Sequence, residues 1–385
     1  MGILDAFFGS SPEALIGQGR AYAGKGAYED ALRCFDEALG LDPKATAAWY
    51  EKGCALTDLD RHREALQCLY TVVRNDPKHT GAWNRMGLAH RELGSREDAL
   101  QCFEKAARIA PEDADAWNNM GLVLMEMGRN DDALRCFKKD LAITPGSAAS
   151  WYRKADALRA LGRYEDAIEC YSSYLDLCPK DGSAWVRLGC TLRTVHRYAE
   201  AVSCFDRAIR IDRGNAGAWN DRGVTLKKAG DTRQALRSFD RSLKADPENA
   251  VVWANKALVL HDLGRAEEAA DCYLHALGLD PENVDLLYRL GTTYDGLGQW
   301  SEALAYYTRY LKVRSGNGYA WLRTGIAFQQ EGDHAMALRC FKRALSIDGN
   351  DADAWHHRGL THQSLGEEAK AEACFRKARE AMLKY

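Results

Sequence analysis

The sequence has no apolar segment long enough to span a bilayer, and its first residues lack the basic side chains that open a secretory signal peptide. Ala6 stands where an N-myristoylation signal needs serine or threonine. Membrane insertion, secretion and lipid anchoring are therefore not indicated. We expect a cytoplasmic protein with no membrane partner.

Net charge is also nearly absent. Charged residues make up 28% of the chain, but the formal net charge is only -3. This balance gives solubility without a large electrostatic field of one sign. Composition therefore argues against bulk binding to nucleic acid.

The sequence lacks the local motifs that mark catalysis or metal binding. It contains no glycine-rich phosphate loop, no nucleophile elbow and no Cys-x-x-Cys pair. His356, His357 and His362 are spaced so that no two share one face of a helix, which requires a separation of three or four residues. We therefore expect no catalytic residue, no metal site and no cofactor, and hence a protein that is not an enzyme.

What the sequence does have is a strict internal period. Nine of the ten tryptophans recur at intervals of 34 residues or a multiple of 34, and Trp300 is the exception. A frame that begins at Pro12 divides the chain into eleven units without insertion or deletion. Residues 1–11 precede this frame and are predicted to form a leader or cap. The predicted units are 12–45, 46–79, 80–113, 114–147, 148–181, 182–215, 216–249, 250–283, 284–317, 318–351 and 352–385.

Each unit has the pattern of two helices. In the fourth unit, Trp117 and Leu124 lie on one face of a first helix, and Gly128 supplies the permissive backbone that ends it. Ala133 and Phe137 lie on one face of a second helix. The Ala133 slot is alanine in all eleven units, so we expect the two helices to touch there. Two such short helices cannot bury their apolar faces alone, so each hairpin must stack on the next.

Nine of the twelve cysteines follow the same period. Equivalent positions in stacked hairpins are separated by about 10 Å or more, whereas bridged cysteines need Cα atoms within about 7 Å. We therefore interpret the periodic thiols as small core side chains rather than disulfide partners. They are Cys34, Cys68, Cys102, Cys136, Cys170, Cys204, Cys272, Cys340 and Cys374.

The recurring order of Trp, Leu or Met with Gly, then Ala, an aromatic residue, Ala and Pro within 34 residues resembles the tetratricopeptide repeat. The resemblance implies an all-α fold, a right-handed α-α superhelical solenoid of antiparallel helix hairpins. The first helix of each hairpin would line a concave groove. The resemblance also implies a non-catalytic scaffold or adaptor for protein-protein interaction, with a partner segment bound in that groove.

In repeats of this kind the groove is presented by about the second, fifth, sixth, ninth, twelfth and thirteenth residues of each unit. Asparagine, tyrosine and basic residues recur in these slots, and amides that both donate and accept can bind the backbone of an extended peptide. The alternative interpretation is that they are solvated polar faces of helices. The candidate groove residues are Asn84, Arg85, Asn118, Asn119, Tyr152, Arg153, Arg159, Arg187, Arg193, Asn220, Lys227 and Lys228.

Positive charge exceeds negative charge in the groove slots of units five to seven. Asp115 and Glu126 precede this segment, and Asp262, Asp285 and Asp295 follow it. We expect the basic segment to bind an acidic or carboxylate-bearing peptide through its arginines, which can form two parallel hydrogen bonds to a carboxylate. The alternative is nucleic acid or another polyanion, which steep salt dependence would reveal.

Asp140 departs from the pattern, because its slot holds alanine in six of the eleven units. We interpret it as a partly exposed structural residue, with Lys154 and Tyr174 as candidate partners. At the carboxyl end the last predicted helix is polar, so self-capping and an end-to-end homodimer both stay open.

Overall fold

The computed structural model describes residues 11–383. Within them the chain forms 22 α-helices joined by short turns, and it contains no strand. None of these helices is both long and apolar enough to cross a membrane. Of the predicted leader, residues 1–11, only Ser11 lies among the described residues, and its side chain accepts a hydrogen bond from the Ala14 amide at the start of the first helix.

The chain divides into two compact units, one that ends at Val195 and one that begins at His196. The first unit contains eleven helices of 12 to 14 residues. They are α1 (Pro12–Ala23), α2 (Tyr28–Leu41), α3 (Thr46–Asp58), α4 (His62–Asn75), α5 (Thr80–Glu92), α6 (Arg96–Ile109), α7 (Ala114–Glu126), α8 (Asn130–Ile143), α9 (Ala148–Ala160), α10 (Tyr164–Leu177) and α11 (Gly182–Thr194).

The second unit contains eleven helices of 13 to 15 residues. They are α12 (Tyr198–Ile211), α13 (Ala216–Lys228), α14 (Thr232–Ala245), α15 (Ala250–Asp262), α16 (Ala266–Leu279), α17 (Val284–Gly296), α18 (Trp300–Val313), α19 (Gly318–Gln330), α20 (His334–Ile347), α21 (Ala352–Ser364) and α22 (Glu368–Met382).

Within each unit the helices pack as successive hairpins. In the first unit α1 packs on α2, α3 on α4 and so on to α9 and α10, and each even-numbered helix also packs on the odd-numbered helix that follows. The second unit repeats this arrangement from α13 and α14 to α21 and α22. The predicted fold class, an all-α solenoid of antiparallel helix hairpins, is thus confirmed. The division into eleven 34-residue repeats stays a prediction.

The hairpin contact depends on small residues. Ala133 is completely buried. A Cβ atom added to Gly121 on α7 would lie 2.6 Å from the Phe137 ring on α8, so glycine lets that ring reach the backbone of the first helix. Gly128 has a φ of +75°, which favours glycine and reverses the chain between the helices.

The junction between hairpins is fixed by tryptophan. The Trp117 Nε1 group donates to the Pro111 carbonyl at 2.8 Å, which holds α7 against the end of the preceding hairpin. Trp83, Trp151 and Trp253 make the same bond six residues back at 2.9 to 3.0 Å. The recurring tryptophan therefore sets the position of each first helix on the unit before it.

The nine periodic cysteines are buried, as predicted, and all twelve cysteines are free thiols. Burial raises the pKa of Cys136 and of Cys204 to about 12. These thiols are core side chains on the second helices.

Candidate binding surface

Within each unit the odd-numbered helices lie closer to one another than the even-numbered helices do. In the first unit α1 contacts α3, α3 contacts α5, α5 contacts α7 and α7 contacts α9. In the second unit α13 contacts α15, α17 contacts α19 and α19 contacts α21. The odd-numbered helices therefore lie on the inner side of each stack. We call the face formed by their predicted groove slots the first-helix surface.

Ion pairs join neighbouring odd-numbered helices across this surface. They link Arg20 to Glu51 at 2.8 Å, Arg85 to Asp58 at 3.0 Å, Arg91 to Glu126 at 2.7 Å and Arg187 to Asp156 at 3.5 Å in the first unit, and Lys227 to Asp262 at 3.3 Å and Arg323 to Asp295 at 2.6 Å in the second. Much of the predicted groove charge is therefore neutralised inside the protein.

Arg153 on α9 is the exception. It occupies the same slot as Arg85 and Arg187, but it forms no ion pair or hydrogen bond with another residue among 11–383. Arg153 is half-buried, and this burial together with the charge of Arg91 lowers its pKa, while Asp140 acts in the opposite direction. The guanidinium is thus partly removed from water without a carboxylate to replace it.

The preceding helix explains why Arg153 has no partner. Asp156 and Asp295, which hold Arg187 and Arg323, stand at the ninth and twelfth slots of their repeats. On α7 these slots hold Leu122 and Met125, both half-buried, and neither can accept from a guanidinium as a carboxylate does.

The carboxylate at the next slot is already engaged. Glu126 forms an ion pair with Arg91 at 2.7 Å and also lies 3.6 Å from Arg96. The α7–α9 junction therefore combines an unpaired cation on α9 with half-buried apolar side chains and the half-buried Asn119 amide at the groove slots of α7.

Tyr171, Asp156 and two arginines form a network one repeat further along the first unit. The Tyr171 hydroxyl donates to Asp156, which also lies 3.8 Å from Arg159 and 3.5 Å from Arg187. Tyr152 packs edge-on against the Tyr171 ring, with centroids 5.7 Å apart. Arg159 and Arg187, both predicted ligand contacts, thus share one internal carboxylate.

The remaining basic candidates are divided between the two units. Arg193 on α11, in the first unit, lies 3.6 Å from Cys190 Sγ through its Nη2 atom. In the second unit Lys227 pairs with Asp262, and Lys228 is exposed at the carboxyl end of α13. A cation at that end also interacts favourably with the helix dipole.

Three of the predicted asparagines contact the next odd-numbered helix or its N-cap residue. Asn84 Nδ2 donates to Asp113 at 2.8 Å, and Asn255 Nδ2 donates to Asn220 Oδ1 at 3.1 Å. Asn118 Nδ2 donates to Asp140 on α8 at 2.8 Å and to the Ser150 hydroxyl on α9 at 2.6 Å. These amides therefore help to hold successive first helices together.

Asp140 corrects our interpretation. It is 2% exposed rather than partly exposed, and its carboxylate accepts from Asn118 and from the fully buried Ser150 hydroxyl. Lys154 instead lies over the Trp151 ring at 4.7 Å, and Tyr174 donates to Asp181 at 2.6 Å. Desolvation is tolerated because two donors replace water around the carboxylate.

The second unit contains another buried polar cluster, which lies outside the predicted groove residues. Asp295 is 4% exposed and accepts from Arg323 Nε at 2.6 Å and from the Tyr307 hydroxyl at 3.1 Å. The sequence signal for this cluster is Tyr307, which stands in a slot that is phenylalanine in many units. Its hydroxyl needs a hydrogen-bond partner on the first helix. The Tyr171 and Asp156 pair follows the same rule.

Hairpins of two short antiparallel helices, each packed on the next, define the class of helical repeat proteins. Within this class the chain is a tetratricopeptide repeat protein. Tetratricopeptide repeat models match residues 16–80, 114–147, 288–352 and 352–380, a further TPR model matches residues 87–128, and the model described as Cilia and flagella-associated protein 70 C-terminal domain matches residues 138–317.

Several solved structures are similar to part of the chain. YrrB, described as a TPR protein with an unusual peptide-binding site, is 27% identical and aligns over 46% of this chain and 91% of its own, with a TM-score of 0.44. The thermophilic TPR protein TTC0263 from Thermus thermophilus is 25% identical over 47% of this chain and 99% of its own, with a TM-score of 0.38. A tetratricopeptide repeat protein from Parabacteroides merdae is 18% identical over 66% and 100%, with a TM-score of 0.47. No curated protein sequence matches the chain.

Tetratricopeptide repeat proteins are in general interaction scaffolds, and they are typically non-catalytic. This chain is therefore a protein-interaction scaffold of the same general kind.

Proposed function

We propose that the protein holds an extended segment of a partner protein along its first-helix surface, without catalysing a reaction, and that an acidic group of this segment binds Arg153. The observation that carries the proposal is that Arg153 is half-buried yet has no ion pair among the described residues. A ligand carboxylate would replace the water lost on burial and form two parallel hydrogen bonds to the guanidinium.

The surroundings of Arg153 favour a peptide over a simple anion. Leu122 and Met125 offer half-buried apolar contact beside the cation, and Leu88 extends this contact on α5. The Asn119 amide can donate to and accept from a peptide backbone. We expect an acidic residue next to an apolar residue in the bound segment.

Nucleic acid along predicted repeats five to seven is the less supported candidate. Arg159 and Arg187 share Asp156, and Lys227 pairs with Asp262, so phosphates would compete with internal carboxylates at these positions. Arg153 has no such competitor among residues 11–383.

Peptide display on the purified full chain tests the proposal. Random peptides selected on the chain should be enriched in Asp or Glu beside an apolar residue. Arg153→Ala should weaken the selected peptides by about tenfold or more, the scale of one charge-assisted hydrogen bond. Arg159→Ala, which removes the same charge from a residue already paired with Asp156, should change affinity by about twofold at most.

Recovered peptides without acidic residues, or peptides that bind Arg153→Ala as tightly as the unaltered chain, would contradict the proposal. Binding of a short DNA duplex that weakens steeply with salt and depends on Arg159, Arg187 and Lys227 would favour the polyanion candidate instead.

A further inference from the structure

A basic cavity of about 500 Å³ lies in the second unit, outside the first-helix surface. Its walls come from the end of α12 and the turn after it, from the start of α13 and from the end of α14. Four cationic side chains and one indole dominate its lining. They are Arg210, Arg213, Arg241, Lys244 and Trp219.

None of the four cations forms an ion pair with any residue that the structure describes, and all four are exposed. The nearby acids have other partners. Asp212 accepts from the Gly214 amide at 2.8 Å, Asp240 pairs with Lys256 at 2.8 Å, and Asp246 accepts from Asn249 at 3.1 Å. The cavity therefore concentrates positive charge that the protein does not neutralise.

The four cations around Trp219 exceed the number at the same slots of the other tryptophan junctions, although the Trp83 junction also carries three, which are Arg74, Lys105 and Arg108. Around Trp151 in the first unit, the residues at the slots of Arg210, Arg213, Arg241 and Lys244 are Ala142, Pro145, Ser173 and Asp176. Arg213 stands where the predicted pattern has proline, yet its carbonyl still accepts from Trp219 Nε1 at 3.1 Å. The tryptophan junction is thus kept while its surroundings become cationic.

We propose that this cavity binds a small anion that carries several phosphate groups. A volume of about 500 Å³ lies within the range of small-molecule sites, about 300 to 1,000 Å³. Guanidinium groups bind phosphate oxygens through paired hydrogen bonds, and three arginines with one lysine match a ligand of several negative charges. The Trp219 ring closes one wall of the site.

Titration calorimetry of the full chain with sodium tripolyphosphate, at physiological ionic strength, tests the proposal. We expect one ligand per chain. The variant Arg210→Ala/Arg213→Pro/Arg241→Ser introduces the residues found around Trp151, which the same framework already accommodates. Loss of several charge-assisted hydrogen bonds should weaken binding by about a hundredfold or more. Unchanged circular dichroism and thermal unfolding would show that this variant is folded.

Two control variants separate this site from other effects. Lys25→Ser/Lys44→Ser/Lys78→Ser removes the same charge from exposed lysines of the first unit and should leave tripolyphosphate affinity within about twofold. Arg153→Ala should also leave it unchanged, so this inference and the peptide proposal can fail independently.

Three results would overturn the inference. The first is no measurable binding of tripolyphosphate to the unaltered chain. The second is an equal loss of affinity in the lysine control, which would indicate general charge attraction. The third is that a short DNA duplex displaces bound tripolyphosphate at a lower concentration than tripolyphosphate needs in order to bind. That result would assign the cavity to nucleic acid.

Discussion

At the scale of single residues, the buried cluster of Asp140, Ser150 and Asn118 shows how one repeat junction can become polar. Both Asp140 and Ser150 occupy slots that hold alanine in many other units, so the two departures occur together. Each polar group supplies what the other needs, since the hydroxyl donates and the carboxylate accepts. Removing one member should therefore cost more than removing both.

Ser150→Ala should lower the stability of this junction by about 1 to 3 kcal/mol, because the buried Asp140 carboxylate loses a donor. Asp140→Ala/Ser150→Ala, which restores alanine at both slots, should lose less than Ser150→Ala alone. Thermal unfolding of the two single variants and the double variant completes a double-mutant cycle. Additive losses would show that the two side chains do not depend on each other.

At the scale of helices, the second helices carry the periodic thiols on their buried faces. Burial raises the pKa of Cys136 and of Cys204 to about 12, against an ordinary value of 9.0. At pH 8 the thiolate fraction of such a group is about a thousandfold lower than that of an ordinary cysteine. The thiolate is the form that reacts. Reactivity of these positions should therefore report on the opening of their helices.

Iodoacetamide at pH 8 should alkylate the nine periodic cysteines much more slowly in the native chain than in urea. Mass spectrometry of peptides gives the rate at each position. The folded state holds these thiol protons more tightly than the unfolded chain does. The contribution of these buried thiols to the free energy of unfolding is therefore complete below about pH 9, and it declines as the pH rises toward 12. Rapid native alkylation of Cys136 or Cys204 would mean that their helices do not pack as the structure shows.

The helices and their cores could be predicted from the sequence, because one repeating contact set determines them. The slots of Trp117 and Ala133 recur with fixed spacing. The Trp117 hydrogen bond to the preceding turn and the complete burial of Ala133 follow directly from this spacing. The binding surface could not be predicted as fully, since it depends on which side chains meet across a junction. The sequence shows Arg153 and Arg187 in the same slot, but only the structure shows that Asp156 holds Arg187 while Leu122 and Met125 leave Arg153 unpaired.

At the scale of the whole chain, the main packing contacts among residues 11–383 join helices that are adjacent or next-adjacent in sequence. The stability of such an array is close to a sum of local terms, so damage in one hairpin should not spread evenly. Hydrogen exchange resolves this difference, because it measures local opening along the chain.

Ala133→Leu should overpack the α7–α8 contact by about 1 to 3 kcal/mol, because the side chain at this position is completely buried. Amide exchange should accelerate most in α7, α8 and α9 and change least in α20 to α22. Ala337→Leu, the same change at an equally buried alanine of α20, should produce the reverse pattern. If both variants accelerated exchange uniformly from α1 to α22, the chain would open as a single cooperative body, and the nearest-neighbour description of its stability would be wrong.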